Sequence, residues 1–493
     1  MSQTLLPSSL PQKENLLFKL EPGLAWLAIV GLFGFTTLGA FAGIGTILRV
    51  LFPAMSFVVG IYLYRTAPLL YNGFVWWIWF LTPLLRRIAD YKSSYDTMSL
   101  MLTAPYFVTL ISAYPFFKHL PKANRQGTMP FVLAAIGVIY SFGIGMLGNS
   151  PITVGRALLD WLPPIFYGFY MATCWRQYPD IRQNTQRIFL WGTLVTGSYG
   201  IYQYMVAPEW DRFWLENVKL VSFGLPEPQG IRVWSTMNGP AAFSGTILAG
   251  LILLFTYGGQ LRAPAAGVGY LAFLLSMVRA AWGAWALGLL MLLSSLKSQL
   301  QIRLIITIAI LTICVIPLTS IEPFASVINA RFESLSNVQE DSSYGARTAT
   351  YQDNIGIALS QVLGRGLGGT WAVTADGKTE RVALDSGILD TFFTLGWFGA
   401  IPYLTGMFLL VSTQFQNSDI AKDLFASAAR SITLALLIAT LLGPFTTGSS
   451  GMVFWGFLGI SLAAQKYYRY QRISQSQVIK VEILSKKNIV PNE

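Results

Sequence analysis

The chain has 493 residues, of which 53% are hydrophobic and only 12% charged, with a mean hydropathy of +0.52. A soluble domain carries about 25% charged residues, so a soluble enzyme or binding module is excluded and a polytopic membrane protein is expected. The net charge of +11 would suggest nucleic acid in a soluble protein, but its distribution along this chain gives it another origin.

Residues 1–20 hold no sustained apolar run, and Lys13 and Lys19 precede the first one. That is the pattern of a cytoplasmic tail, not of a cleaved signal. Helices are expected at 24–44, 50–64, 68–85, 98–116, 130–147, 160–175, 188–206, 238–257, 264–277, 281–296, 303–320, 388–412, 424–442 and 451–467. A helix crosses a bilayer with about 20 apolar residues, and such continuous runs argue against a β-barrel. Only "MVRAA" separates 264–277 from 281–296. Merging or dropping one or two segments leaves an all-α polytopic membrane protein of about 12–14 transmembrane helices.

The domain organisation follows. Residues 1–320 form the N-terminal membrane helices with an outer loop at 207–237; 321–387 form a partly helical extracytoplasmic loop region. Residues 388–467 form the C-terminal membrane helices and 468–493 a cytoplasmic tail. With the N-terminus inside, the inner loop "FKHLPKANR" has three basic residues and no acid, and "RQYPDIRQNTQR" has three arginines and one aspartate. The tail from Lys466 has six basic and two acidic residues. Outside, 207–237 has three basic and four acidic residues, and 321–384 has five and seven. The positive-inside rule requires this asymmetry, so the +11 reflects topology and no nucleic-acid partner is expected. One loop resists: "RRIADYKSSYD", with three basic and two acidic residues, falls outside.

Cys174 and Cys314 lie in or beside apolar runs without metal spacing, as buried thiols do. The single histidine, His119, lies in a basic loop and builds neither a metal site nor a triad. The cluster "GRGLGG" allows tight turns and close backbone approach. It lacks the lysine-serine pair of a phosphate loop.

Ionisable residues at membrane depth mark a pathway or a site. Arg232, Arg279, Arg347 and Arg381 all fall on the outer side, where guanidinium groups suit a polyanionic head group. Each has a plainer reading. Arg279 can snorkel to the interface, Arg232 can be a loop charge, and Arg347 can pair with Asp341 or Asp353. Arg381 can pair with Asp385 at i,i+4, and Arg430, near the inner end, reads as structural. Asp385-Ser386 also makes a good N-cap for the helix that follows. Asp390, inside that helix, needs a partner at bilayer depth. Gly396 and Gly399, one turn apart, allow a helix or lipid chain to approach closely.

"DSGILDTFFTLGWFG" resembles the histidine-asparagine, nine-residue, glycine-x-x-glycine motif of the O-antigen ligases, with Asp385-Ser386, nine residues, then Gly396 and Gly399. The order "ARFESLS", "DSSYGAR", a helix, "GRGLGG" and then this motif is similar to that of the O-antigen ligase and polymerase superfamily. "IRVWSTMNGPAAFS" looks like the arginine-then-Asn-Pro segment of that family, with a glycine between Asn238 and Pro240. "MVRAAWGAW" looks like its Ser-Arg-Gly segment, and the whole resemblance runs from about 230 to 415.

The resemblance implies glycosyl transfer at the outer face of the bacterial inner membrane, independent of metal or other cofactor. The donor would be a polyprenyl-pyrophosphate-linked glycan, held at its pyrophosphate by Arg232 and Arg279 and more loosely by Arg347. Asp385 would be the catalytic base, with Arg381, Asp390 and Asn238 in support. The ligase motif has histidine where this chain has Asp385, and no other histidine can substitute. A carboxylate can deprotonate a sugar hydroxyl, or it can orient the helix. The departure favours a polymerase of undecaprenyl-pyrophosphate-linked repeat units, making a surface or exported polysaccharide. The alternatives are ligase-type transfer to a lipid or protein acceptor, and a polysaccharide transporter or flippase. Transporters often show paired repeats, and none is evident. Implied partners are the lipid-linked glycan, membrane lipid and a chain-length regulator protein.

Overall fold

The computed structural model describes residues 22–295, 298–299, 301–302, 305–306, 322, 355–356, 358–369, 371–373, 379–381, 386–416 and 423–487. The expected helix at 303–320 and most of the 321–384 loop, Arg347 and Asp385 included, therefore lie outside the described residues. So does Cys314.

The first half comprises α1 (Pro22–Phe41), α2 (Gly45–Thr66), α3 (Pro68–Lys92), α4 (Ala104–Leu110), α5 (Ala113–His119), α6 (Met129–Gly148), α7 (Pro151–Thr173), α8 (Tyr178–Val206) and α9 (Glu209–Val218). There follow α10 (Pro240–Leu253), α11 (Arg262–Leu275), α12 (Arg279–Ser294), α13 (Gly387–Thr413), α14 (Leu424–Ala439) and α15 (Gly448–Lys487). A small antiparallel ribbon, β1 (Trp371–Val373) with β2 (Thr379–Arg381), pairs the Arg381 backbone with Trp371. Six helical segments are long and apolar enough to cross a membrane: Gly23–Phe41, Gly45–Thr66, Leu100–Lys122, Met129–Gly148, Gly387–Thr413 and Leu424–Leu442. The protein is thus mostly helical and of membrane type. The 264–277 and 281–296 runs are two separate helices, α11 and α12, parted at Met277 with φ +55°.

Proline sets several helix starts. Pro68, Pro151 and Pro240 occupy the first turns of α3, α7 and α10, where a missing N–H costs nothing. Small residues set the closest crossings. A Cβ on Gly137 would lie 2.3 Å from the Gly399 carbonyl oxygen, joining α6 to α13; one on Gly459 would lie 2.1 Å from that of Gly168, joining α15 to α7. The helix-approach role expected of Gly399 is filled by α6. Inside the bundle, Trp76 meets Tyr167, Phe189 and Phe457 at ring separations of 5.7, 4.9 and 6.0 Å. Outward-facing Leu38, Leu147 and Phe408 are 73%, 86% and 69% exposed, as expected of lipid-facing side chains.

The loop that resisted the charge rule has a structural explanation. Arg86 and Arg87 belong to α3 and are buried. Arg86 pairs with Asp90 at 2.5 Å, and Arg49 pairs with Asp90 at 3.1 Å and Asp96 at 3.6 Å. Arg87 pairs with Asp211 at 2.6 Å. These charges are neutralised inside the protein, so they contribute little to the loop balance that sets orientation.

Candidate functional site

Arg232 lies in an extended stretch tied down by its own backbone. Its amide donates to the Phe223 carbonyl at 3.0 Å, and the Val233 amide donates to that of Leu275 at 3.0 Å. The guanidinium donates to three carbonyls: Ser222 at 2.7 Å, Met277 at 3.1 Å and Ser276 at 3.4 Å. Ser276 and Met277 close the C-terminal end of α11, where unpaired carbonyls attract a cation. Arg279 opens α12 two residues later. Both arginines thus adjoin the α11–α12 junction, and both are half-buried.

What holds this stretch was not legible in the sequence. Arg87, fully enclosed, donates to Asp211 Oδ1 at 2.6 Å, to the Ser235 carbonyl at 2.6 Å and to the Met237 carbonyl at 2.5 Å. Asp211 also accepts from Tyr199 at 2.9 Å and Gln203 at 2.8 Å. Gln203 Oε1 in turn accepts from the Trp234 and Ser235 amides at 3.0 and 2.8 Å. Ser235 has φ +54°, a conformation a non-glycine residue holds only when its surroundings impose it. Asn238 follows directly, exposed, before Pro240 starts α10.

The acid-bearing helix α13 begins at a serine cap. Ser386 accepts from the Leu389 amide at 3.4 Å, so the cap expected of the Asp385-Ser386 pair is made by Ser386. Ser386 and Asp390 are both buried, and the Asp390 amide donates to the Ser386 carbonyl at 2.9 Å. At Gly396 the helix breaks, with φ +63°. The "GRGLGG" segment fills the break. The Arg365 and Gly366 amides donate to the Phe393 and Thr394 carbonyls at 2.9 and 3.0 Å, and the Leu367 amide donates to Ser141 at 3.0 Å. Those amides are committed to the protein's own backbone, so the segment is no phosphate loop. The exposed Arg365, overlooked in the sequence, lies over the Phe393 ring at 5.0 Å.

Helix packing places these parts around one turn. A Cβ on Gly288 of α12 would lie 3.1 Å from Ala435 and 3.5 Å from the Ser431 carbonyl of α14, while Arg430 reaches Ser295 at 2.6 Å. The two helices are therefore antiparallel. Nine residues back from Gly288, about 13 Å, Arg279 is level with the turn Thr440–Leu442 that ends α14. Gly387 packs on the same turn, since its Cβ would lie 2.6 Å from both Thr440 Cγ2 and the Gly443 carbonyl oxygen. Gly245 of α10 faces Phe445 and Ser450 just beyond it. The segment 443–450, "GPFTTGSS", is thus flanked by α10, α13 and, through Tyr106 and Asp160 near Gly448, by α4 and α7. Its glycine, proline and hydroxyl residues between two apolar runs are the signal that could have drawn attention to it.

The structure therefore places Arg232 and Arg279 beside the α11–α12 junction and sets Arg279 and Ser386–Asp390 at the same end of the bundle. Arg381 is placed by its backbone alone, and Arg347 and Asp385 lie outside the described residues. Comparison with family models, with curated proteins and with solved structures finds no match.

Proposed function

We propose that this chain is a membrane glycosyltransferase that polymerises undecaprenyl-pyrophosphate-linked repeat units into a surface or exported polysaccharide. On this reading it crosses the bacterial inner membrane with about 12–14 helices. Both termini face the cytoplasm, and the 321–384 loop lies on the outer face. The observation that supports the reading is that Arg232 bonds the α11–α12 junction from which Arg279 opens α12, at the same end of the bundle as the Ser386–Asp390 turn. Motifs more than a hundred residues apart in the sequence share one end of the bundle, as a single site requires.

The chemistry assigned to that end needs no metal. Arg232 and Arg279, helped by Arg365 and Arg347, bind the donor pyrophosphate and stabilise the charge that grows as it departs. Asp385, one residue before the Ser386 cap, accepts the proton of the acceptor hydroxyl. The hydroxyl oxygen bonds to the anomeric carbon, the carbon–oxygen bond to pyrophosphate breaks, and polyprenyl pyrophosphate leaves with the electron pair.

The test is deletion of the gene in its own host, followed by analysis of surface glycan. Single repeats should accumulate, and the wild-type chain should restore long polymer. Arg279→Ala and Asp385→Ala, at normal membrane levels, should not. Full restoration by both variants would overturn the reading, and unattached long chains in the deletion strain would replace it with a ligase.

A further inference from the structure

Between α2 and the 100–122 stretch runs a groove of about 890 Å³, within the range that accommodates a small-molecule ligand. Its walls are apolar, with Pro53, Phe57, Ile61, Phe107 and Leu110 among them. It opens to the outside: Phe57 and Phe107 are 40% and 37% exposed. At Gly60 the walls touch, since a Cβ there would lie 2.7 Å from Ile111.

The two ends differ in charge. Arg49, at one end, is neutralised by Asp90 and Asp96. Arg65, at the other, is exposed in the last turn of α2 and has no carboxylate partner among the described residues. Sixteen residues separate them, about 24 Å along a helix. Tyr64 and Tyr114 meet edge to face at 6.3 Å, and Lys118 lies over the Tyr114 ring at 5.7 Å. Arg65 and Lys118 thus flank one tyrosine pair, with Lys122 and Arg125 following. From Thr97 to Leu159 the sequence contains no acidic residue.

An apolar slot ending in two cations that no carboxylate among the described residues pairs with fits a ligand with a hydrocarbon chain and an anionic head. We propose that the groove seats one acyl chain of an anionic phospholipid, whose phosphate is held by Arg65 and Lys118. Basic pockets between membrane helices bind anionic head groups in this way. The proposal does not depend on the glycosyltransferase reading.

The test uses the full chain, delipidated in detergent and mixed with phosphatidylglycerol or phosphatidylcholine, with bound lipid counted by native mass spectrometry. The wild type should retain phosphatidylglycerol roughly tenfold more strongly. The Arg65→Gln/Lys118→Gln variant, altered only at exposed positions, should lose that preference. Ala54→Trp, which fills the groove and spares the cations, should lose retention as well. Equal retention of the two lipids, or an unchanged preference in the double variant, would overturn the proposal. Retention by Ala54→Trp would show a surface head-group contact without a seated chain and would equally overturn it. Displacement of phosphatidylglycerol by equimolar polyprenyl phosphate would assign the groove to the lipid carrier instead.

Discussion

Replacing Asp211 with leucine should destabilise the protein far more than loss of a surface ion pair would. Arg87 and Asp211 are both 0% exposed at the side chain. Removing one partner from such a pair costs about 3–5 kcal/mol, because a charge remains buried without compensation. An exposed pair contributes about 0–1 kcal/mol. In the variant, Arg87 keeps its carbonyl partners at Ser235 and Met237 but has no counter-charge. The Tyr199 hydroxyl and Gln203 amide each lose an acceptor, and a stranded buried donor costs about 1–3 kcal/mol. The expected loss is therefore near the upper end, about 5 kcal/mol.

Arg87→Met should cost a similar amount, for it strands the carboxylate. Arg87→Met/Asp211→Leu should cost less than the two single variants together by more than about 1 kcal/mol, because buried apolar groups replace a buried pair with little penalty. Reversible denaturant unfolding of detergent-solubilised protein would measure all four species. Tryptophan fluorescence is a suitable probe, since Trp214 lies 5.8 Å from Arg87 and 5.2 Å from Trp234. Additivity within about 0.5 kcal/mol, as independent sites show, would refute the claim that this pair anchors the Arg232 segment. A single-variant cost below about 1 kcal/mol would refute it too.

The glycines of the α13 break should be irreplaceable. Gly396→Ala places a Cβ 2.3 Å from the Leu363 carbonyl carbon at φ +63°, adding about 1–3 kcal/mol of backbone strain to the clash. By contrast Gly283→Ala, with nothing within 4 Å in α12, should hold or raise stability by up to about 1 kcal/mol, and thermal unfolding after membrane extraction separates the two. Asp423 should act as more than a cap. It accepts from the Phe425 amide at 2.9 Å and from the Tyr178 and Tyr468 hydroxyls at 2.6 and 2.8 Å. Asp423→Ala should therefore lose about 1 kcal/mol for the cap and about 1–3 kcal/mol for the stranded buried Tyr178. Asp423→Asn, which can still cap through its Oδ1 but offers the tyrosine hydroxyls no second acceptor, should lose less in denaturant unfolding by the cap contribution, and equal losses would argue against the cap.

Apolar runs were legible because burial in lipid demands them, so the helix at 130–147 appears as Met129–Gly148 and that at 424–442 as Leu424–Leu442. Polar helix starts were not. The helix α7 begins at Pro151, well before the expected 160, since Arg156 and Asp160 interrupt the apolar signal without interrupting the backbone. The helix α8 begins at Tyr178 through "PDIRQNTQR", where no hydrophobic run marks it. Amphipathic α9, with Asp211 turned inward, looked like loop. The Arg87–Asp211 bond spans 124 residues, and a pairing at that separation leaves no local signature. Arg232 and Arg279 could be picked out as misplaced charges. Their placement beside the α11–α12 junction depends on tertiary packing that no short motif encodes.

The break in α13 explains why the acid-bearing turn can be positioned firmly without an intact helix behind it. A gap in a helix at membrane depth exposes carbonyls that lipid cannot satisfy. Here the carbonyls of Phe393 and Thr394 are taken by the Arg365 and Gly366 amides, and the Val362 carbonyl accepts from the Trp397 amide at 2.9 Å. The inserted segment needs the break, and the break needs the inserted segment. Leu367 and Asn149 then extend the same bonding to α6, with the Asn149 amide donating to the Arg365 and Leu367 carbonyls at 3.0 and 3.2 Å. On its other side, the first turn of α13 rests on Thr440 and Gly443 through Gly387. Ser386 and Asp390 are thereby held between two backbone contacts. Such a fixed turn is what the base role proposed for the adjoining Asp385 would require.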